Sequence, residues 1–332
     1  MASVVRYVDP DAVGTGSGTS WANAYTSLTT WESSEQTNLV SDGDTHTVNC
    51  KASSGTADSS ICNVLGWTTG VSNWIKIIVD PSDGHGGVKA TGFRISGSAN
   101  GSALFYVNNV DYVTVKGIAI ENTHAGGNGV RVGSVGNVVF EDCLVYNTGN
   151  YGYYSQFDGP VFVNCIAYNG GLHGFYSTEN CTLYNCVSLN NTTSGFYVTA
   201  HDDMTLKNCY AGGNGTDYNP QSVDADMFIT TCYSADGSES TTVAALSTSS
   251  GAYFTNVTAG SEDCHTKAGS TLHSAGTDLS ADATYAFNYD FEGDTRSNWD
   301  VGADEYLVVG GASPSPRANL SGPIRGPFGG PI

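Results

Sequence analysis

Histidine, tyrosine and arginine side chains recur in the middle of the chain at a spacing that would suit acid–base chemistry. His173 precedes Gly174, and Tyr154 and Arg131 lie about one and two sequence repeats before it. Such a set could neutralise the carboxylate of a uronic acid and move a proton. A histidine in a glycine-rich stretch is also a common turn residue. We therefore assign His173, Tyr154 and Arg131 only as an alternative catalytic set.

A pair of carboxylates is the other common catalytic group for cleaving glycosidic bonds. Carboxylates do not recur at matching positions of the repeats in this chain. Glycosidases hold two carboxyl groups about 5 to 9 Å apart, whereas Glu141, Asp142 and Asp158 fall in different columns and are expected to point outward. Three acidic stretches lack the D-x-[DN]-x-[DN]-G calcium pattern: Asp202-Asp203, Asp224-Asp226 and Asp290-Glu292-Asp294. The sequence predicts no catalytic residue, no metal site and no cofactor, with Ca²⁺ left as an alternative.

The elements that would position these residues are repeats of 21 to 25 residues. FEDCLVYNTGNYGYYS, FVNCIAYNGGLHGFYS and LYNCVSLNNTTSGFYV begin at Phe140, Phe162 and Leu183 and align along their whole length. Each repeat holds short strands and Asn/Gly turns, without room for a helix. This pattern predicts an all-β fold, a right-handed parallel β-helix whose strands stack about 4.8 Å apart.

Two columns of the repeat are predicted to be structural. The cysteine column should face inward as small hydrophobes, with Ile118 as the earlier equivalent; it comprises Cys143, Cys165, Cys186 and Cys209. Stacked cysteines are also near disulfide distance, so interior disulfides remain an alternative, although nine cysteines leave at least one unpaired. Asn147, Asn169 and Asn190 should form a turn ladder of side-chain amides.

A glycine column precedes the residues that we expect to form a binding surface. Val130, Tyr153, Phe175 and Phe196 should face inward, and the residue after each should face outward by strand alternation. We call this outward column the tyrosine ridge: Arg131, Tyr154, Tyr176 and Tyr197. Such a ridge suits sugar rings or a partner subunit, and it is equally compatible with a purely stabilising cross-strand ladder.

The two ends of the chain differ from the repeats. We assign residues 1–40 to an N-terminal cap, 41–245 to β-helix coils, 246–306 to C-terminal coils and a cap, and 307–332 to an extended tail. A helix capped by Thr19 or Ser20 should cover the first coil through Trp21, Tyr25, Leu28 and Trp31. The tail is rich in proline and glycine, and we expect it to dock on a partner through Leu320, Ile324, Phe328 and Ile332.

Composition excludes several classes of partner. The formal net charge of -20 disfavours nucleic acid and anionic lipid. No stretch of about 18 apolar residues is present, and the first residues do not have the pattern of a secretion signal. We therefore expect no nucleic-acid partner and no membrane span.

Both ends also resemble a known family. The opening RYVDPDAVGTGSGTSWANAYTSL, the segment DCHTKAGSTLHSAGTDL from Asp263, and the closing Arg296 with Asp300 to Tyr306 are similar to right-handed β-helix proteins of the pectate-lyase-like superfamily. The resemblance covers about residues 5 to 306. It implies the fold, and it leaves function open because members include lyases, hydrolases, surface proteins and phage virion proteins.

We expect a non-catalytic structural or adhesive protein, a phage virion component such as a head decoration, head fibre or tail-associated subunit. Its expected partners are other virion or surface proteins, further copies of itself, and a host surface glycan. Its expected location is the virion, with an extracellular or cell-surface location as the alternative. The alternative function is a polysaccharide lyase or glycoside hydrolase acting on an acidic polysaccharide. The resemblance implies that a lyase would carry a Lys or Arg base near calcium-binding carboxylates.

Overall fold

The computed structural model describes residues 3–133, 136–157, 159–199, 202–221, 226–238, 244–245, 250–258 and 260–307. Three parallel sheets form the body of the protein within these residues. Sheet 1 contains β1 (Ser3–Val8), β2 (Thr45–Cys50), β4 (Ile75–Val79), β7 (Val113–Lys116), β10 (Val138–Glu141), β13 (Val161–Val163), β16 (Cys181–Tyr184), β19 (Asp203–Lys207) and β22 (Asp226–Thr230), stacked in that order.

Sheets 2 and 3 repeat this arrangement. Sheet 2 contains β5 (Arg94–Gly97), β8 (Ala119–Asn122), β11 (Leu144–Tyr146), β14 (Ile166–Tyr168), β17 (Val187–Leu189), β20 (Tyr210–Gly212), β23 (Tyr233–Ser234) and β24 (Ala244–Ala245). Sheet 3 contains β3 (Cys62–Leu65), β6 (Ala103–Asn108), β9 (Asn128–Gly133), β12 (Tyr153–Ser155), β15 (His173–Ser177), β18 (Ser194–Val198) and β21 (Thr216–Pro220). From β4 to β21 the strands enter sheets 1, 2 and 3 in turn, one strand per sheet in each coil, which is the predicted parallel β-helix.

The predicted core columns are confirmed. Phe140 pairs in register with Val115 and with Phe162, and Leu183 and Leu206 continue the column. The four predicted cysteines lie in the same buried core, and Cys232 extends their column by one coil. All nine cysteines are buried free thiols. Free thiols buried in an apolar core behave as small hydrophobes, as predicted.

Asparagine makes the corners of the coil because it tolerates the left-handed backbone conformation. Asn147, Asn169 and Asn190 turn the chain from sheet 2 toward sheet 3 with φ of 50°, 55° and 53°. The predicted bond between their side chains occurs once, from Asn169 Nδ2 to Asn147 Oδ1 at 3.4 Å. A second column, not predicted, turns the chain from sheet 1 to sheet 2 with φ of 50° to 55°: Asn164, Asn185 and Asn208.

The N-terminal cap differs from the prediction in where its helix begins. Trp21–Asn23 is a 3-10 turn, and Ser20 makes no side-chain cap. The helix α1 is Leu28–Glu35, and Ser27 caps it by accepting from the amide of Thr30. Its buried side chains, Leu28 and Trp31, pack on the first coils as expected. The described residues contain three further short helical segments: α2 at Leu39–Asp42 and 3-10 turns at Pro81–Asp83 and Ser250–Ala252.

The described part of residues 246–306, which the sequence assigns to C-terminal coils and a cap, packs along the outside of the solenoid. This part contains one antiparallel pair, β25 (Phe254–Asn256) and β26 (Asp263–Thr266). Leu272 and Val301 cover apolar side chains that sheet 2 directs outward. The second asparagine column holds this segment, because Asn185 Nδ2 donates to the carbonyls of Asp300 and Gly302, each at 2.9 Å.

The family-like closing motif is structural in this segment. Arg296 is buried, and its guanidinium donates to the carbonyls of Gly302 and Ala303 at 3.0 and 2.7 Å and to Asn164 Oδ1 at 3.0 Å. Glu305 accepts from three backbone amides, those of Ser297, Asn298 and Asp300. These charged residues fold the closing loop onto the coils and leave no charge for a substrate. None of the helices among the described residues is long and apolar enough to span a bilayer.

Candidate functional site

The position of the tyrosine ridge depends on a column of glycines, which includes Gly152 and Gly174, two residues before the ridge tyrosines. A Cβ on Gly174 would lie 2.1 Å from Ser188 Oγ and 2.9 Å from the carbonyl oxygen of Gly195, and a Cβ on Gly152 would lie 2.5 Å from the carbonyl oxygen of Gly174. Glycine is required because neighbouring coils approach too closely for any side chain. The following residues then alternate as predicted: Phe175 is buried and Tyr176 is partly exposed.

The ridge is the centre of a longer column on the outer face of sheet 3. Strand pairing places seven residues in one register: Asn63, Tyr106, Arg131, Tyr154, Tyr176, Tyr197 and Asn219. We call these seven residues the aromatic column. All are partly exposed, and none is acidic. A neutral to basic stripe on a chain with a net charge of -20 is a distinct surface.

Rings of the column stack on one another and on two residues beside them. Tyr154 and Tyr176 have ring centroids 5.0 Å apart, and Tyr176 and Tyr197 are 5.4 Å apart. Tyr151 stacks on Tyr176 at 4.2 Å, and His173 stacks on Tyr197 at 4.3 Å. Parts of the ring faces are therefore covered by neighbouring rings. The surface that remains offers ring edges and phenol hydroxyls, which are suited to the hydroxyl groups and C–H faces of sugars.

Arg131 supplies the one positive charge of the aromatic column. Its guanidinium lies 4.7 Å from the ring centroid of Tyr106 and 5.6 Å from that of Tyr154. Its Nε donates to Gln156 Oε1, and Gln156 Nε2 in turn donates to the hydroxyl of Tyr154 at 3.1 Å. These contacts orient the guanidinium at the surface, where it can meet a carboxylate or a ring oxygen of a ligand.

Two rings at the centre of this surface have pKa values shifted away from neutrality. Burial lowers the pKa of His173 to about 4, so the imidazole is uncharged at pH 7. Burial, together with Tyr151, Tyr154 and Tyr197, raises the pKa of Tyr176 to about 12. A general acid or base works best with a pKa near the working pH. Both groups are far from that value, in opposite directions.

Two residues of the alternative catalytic set, Arg131 and Tyr154, contact each other through the guanidinium and the tyrosine ring, whereas the ring contacts of His173 are with other residues. His173 stacks with Tyr151, Tyr176 and Tyr197, whereas Tyr154 and Arg131 are linked through Gln156. His173 is only 7% exposed, and its Nδ1 is buried without a hydrogen-bond partner. The arrangement makes His173 a packing element of the ridge.

The carboxylates that we expected on the surface are buried, which corrects that expectation. Glu141 and Asp142 are each 3% exposed. Lys116 Nζ lies 3.1 Å from Glu141 Oε2 and 2.8 Å from Asp142 Oδ2. Tyr289 donates its hydroxyl to Glu141 Oε2 at 2.8 Å, and Tyr285 donates to Glu141 Oε1. The tyrosines come from the C-terminal segment, so this cluster fastens that segment to the coils.

Burial and the charges of neighbouring groups shift the pKa values of both carboxylates in this cluster. Burial raises the pKa of Glu141, but the charge of Lys116 and the two tyrosine hydroxyls outweigh burial and lower it. Burial and the charge of Glu141 raise the pKa of Asp142 to about 6 despite Lys116. The cleft beside Lys116, Asp142 and Phe291 has a volume of about 50 Å³. Ligand pockets usually measure several hundred Å³, so this cleft is too small for a sugar ring.

The remaining acidic stretches have structural roles where they are described. Asp202 Oδ2 accepts from Thr199 at 2.9 Å. Asp290 Oδ1 accepts from the amides of Glu292 and Asp294 at 3.0 and 2.9 Å. Asp158 and Asp224 lie outside the described residues, as do the four tail-docking residues Leu320, Ile324, Phe328 and Ile332.

Some residues of the site were not predicted. Tyr106 belongs to the aromatic column but lies 25 residues before Arg131, in a coil without the cysteine signature. Tyr151 lies just before β12, and His173 is the first residue of β15. The sequence named His173 only as an alternative catalytic residue, and nothing in the pattern indicated that these two rings stack on the ridge. By contrast, Asn164, Asn185 and Asn208 each precede a column cysteine, a repeated pair that could have been recognised.

Comparisons with known proteins agree with this architecture. Residues 77–262 match the family described as "Right handed beta helix region", and because this is more than half of the chain, the protein belongs to that family. Solved structures with similarity include pectate lyase Pel9A (13% identity, TM-score 0.45, covering 92% of this chain and 97% of that one). The A-module of mannuronan C-5 epimerase AlgE4 from Azotobacter vinelandii is also similar (13% identity, TM-score 0.42, 68% of this chain and 74% of that one).

No curated protein matches the chain. Similarity at 13% identity does not define an activity. The class that the family match shows is the right-handed β-helix, as the sequence repeats predicted.

Proposed function

We propose that this protein is a non-catalytic, adhesive β-helix protein that binds glycan on the aromatic column. The observation that carries the proposal is the column itself: seven residues in register with four tyrosines, one arginine and no acid, on a chain with a net charge of -20. Tyrosines on neighbouring strands offer hydroxyls and ring edges at regular intervals of 5.0 and 5.4 Å. An extended glycan lying along the solenoid axis would meet the same chemistry at each coil.

The pKa values and the contacts of the titratable groups support the non-catalytic part of the proposal. His173 and Tyr176 have pKa values of about 4 and about 12, and Glu141 and Asp142 are engaged by Lys116. A polysaccharide lyase or hydrolase would need a base or a carboxylate pair open to the substrate. The enzyme acting on an acidic polysaccharide is the rival function.

The test is binding of the full chain to a glycan array and to soluble neutral and uronate-containing polysaccharides. The double variant Tyr154→Ala/Tyr176→Ala should lose at least ten-fold in affinity, because exposed aromatics supply contact area more than packing. Phe228→Ala is the matched control, since Phe228 is 53% exposed on sheet 1. Arg131→Gln should weaken binding of acidic glycans more than of neutral ones.

The same samples separate the two functions. Release of unsaturated uronates or new reducing ends by the unmodified protein would replace the adhesive function with the enzymatic one. Absence of any bound glycan, or equal binding by the double variant, would reduce the ridge to a stabilising ladder.

We further propose that the protein is a phage virion component that oligomerises and docks through residues 307–332. Support comes from the composition of this tail, which has five prolines and interspersed apolar residues and so suits an extended arm on a neighbouring subunit. Truncation after Tyr306 should leave the melting temperature within a few degrees and abolish assembly. A truncated chain that still assembles, or purified particles that lack the protein by mass spectrometry, would contradict this proposal.

A further inference from the structure

The hairpin strand β26 and the closing segment bring one histidine and two carboxylates together. His265, Glu292 and Asp304 each offer one ligand atom, and these atoms all lie within 4.8 Å of one another. The residues belong to elements other than the aromatic column and the Lys116 cluster. The sequence placed Glu292 in an acidic stretch, and His265 and Asp304 in two segments that resemble the β-helix family, but it did not indicate that the three side chains meet.

We propose that His265, Glu292 and Asp304 bind a divalent transition-metal ion, for which Zn²⁺ is the best match. A mixed set of one imidazole and two carboxylates suits zinc, and a water would complete four-coordination. Calcium and magnesium prefer ligand sets made entirely of oxygen. The ion would have a structural role, since it would join the β25–β26 hairpin to the closing loop.

The spacing of the donor atoms fits two ligands of one ion. His265 Nε2 lies 3.4 Å from Glu292 Oε2, which is longer than the roughly 2.7 to 2.9 Å of an N–H···O hydrogen bond between charged groups. Two tetrahedral ligands that are each about 2.1 Å from a zinc ion are about 3.4 Å apart.

A neighbouring carboxylate orients the imidazole toward the site. His265 Nδ1 lies 2.5 Å from Asp263 Oδ1 and donates to it. This contact directs Nε2 toward Glu292 and Asp304. Metal-binding histidines commonly donate their other ring nitrogen to a carboxylate in this manner, which fixes the ring and raises its basicity as a ligand.

The β25–β26 hairpin and the closing loop also meet at one of the three ligands. Thr266, the residue after His265 in β26, donates its amide to Asp304 Oδ2 at 2.7 Å. This bond holds the carboxylate of Asp304 against β26, next to His265.

The site is open to ions from solvent. The side chains of His265 and Glu292 are 31% and 34% exposed, whereas Asp304 is buried. The competing arrangement is an ion pair of a protonated His265 with Asp263 and Glu292, without any metal. The two arrangements differ in whether the stripped protein takes up an ion.

The experiment uses the full chain after treatment with EDTA and desalting. Titration calorimetry and native mass spectrometry with ZnCl₂ should give one bound ion per chain, with CaCl₂ and MgCl₂ at least ten-fold weaker. His265→Ala and Glu292→Gln should each lose at least ten-fold in zinc affinity, and Asp263→Asn should lose about ten-fold, as expected for a residue that orients a ligand. Asp294→Asn is the matched control, because it removes a nearby carboxylate that offers no ligand atom.

Thermal melting in EDTA checks that each variant folds, and Asp263→Asn keeps the test valid if His265→Ala does not. The proposal is overturned if the wild-type chain binds no zinc, if His265→Ala binds as tightly as wild type, or if calcium binds at least as tightly as zinc. The glycan-binding test is independent, since the two sets of variants share no residue.

Discussion

Sheet 3 carries two aromatic ladders on opposite faces of the same strands. The inner ladder stacks Tyr153 on Phe175 at 4.6 Å, and Phe196 and Tyr218 continue it at 5.2 and 5.1 Å. The outer ladder stacks Tyr154, Tyr176 and Tyr197 at 5.0 and 5.4 Å. Strand spacing gives both ladders nearly the same period.

The ladders differ in what surrounds them. Inner rings are at most 2% exposed, and their planes are within 19° of parallel. Outer rings are partly exposed, and Tyr154 is tilted by 50° against Tyr176. Burial makes the inner ladder a source of folding free energy, whereas the outer ladder keeps hydroxyls and ring edges for a ligand. Four predictions test the difference between the buried and the exposed residues of the coils, and they begin with the largest expected effect.

Phe175→Ala should lower the free energy of unfolding by about 3 to 5 kcal/mol, because it leaves a cavity in a closed stack. Tyr176→Ala, one residue along the same strand, should cost at most about 1 kcal/mol, the value of a cross-strand surface pair. Chemical denaturation of both variants measures the comparison. Equal losses would mean that the outer ladder is as much a part of the core as the inner one.

Gly174→Ala should cost about 1 to 3 kcal/mol, because a methyl group would press on Ser188 Oγ at 2.1 Å and on the next coil's carbonyl at 2.9 Å. Gly126→Ala is the matched control, since its Cβ would meet nothing closer than 3.4 Å. Melting curves of the two variants should separate clearly. Similar melting temperatures would show that the coils can move apart without penalty and that the glycine column does not set the ridge.

Acid should weaken the outer ladder through His173. Its pKa falls from 6.5 to about 4 on folding because of burial. Above pH 6.5 the imidazole is neutral in both the folded and the unfolded chain, so its burial carries no penalty. As the pH falls from 6.5 toward 4, the unfolded chain binds a proton that the folded chain does not, and the free energy of unfolding should fall by on the order of 1 to 3 kcal/mol. His173→Phe keeps a stacked ring that cannot titrate, so its stability should fall less over that range. An unchanged pH profile in the variant would place the titration elsewhere, for example at His46, whose pKa is also lowered to about 4 by burial.

Cys165→Ser should give the smallest loss, about 1 kcal/mol, because it introduces a buried hydroxyl into the inner core. The thiol lies 3.4 Å from the carbonyl oxygens of Phe140 and Val163, so a hydroxyl would find an acceptor and avoid a larger penalty. Urea denaturation measures this loss. A variant with unchanged stability would place the column nearer to solvent than its burial indicates.

Much of the outer ladder could be predicted from the sequence, and its role could not. The register of Arg131, Tyr154, Tyr176 and Tyr197 followed from a repeat with alternating strand positions. The stacking of Tyr151 and His173 on that ladder did not, because Tyr151 lies before β12 and His173 is at the first position of β15, where strand alternation does not yet fix the direction of the side chain. The low pKa of His173 likewise depends on the rings that bury it, which no local pattern reports.

The sequence by itself determined the coil. Each coil contacts only its neighbours, so the period of 21 to 25 residues, the inward cysteines and the positions of the ridge could be predicted from repetition and strand alternation. Only the tertiary structure decided where the C-terminal segment lies. That segment buries Glu141 under Tyr285 and Tyr289, 144 and 148 residues away, and brings His265 to Glu292 and Asp304. These contacts are not periodic and join distant parts of the chain, so they depend on how non-repeating surfaces fit together, for which the sequence carries no local pattern.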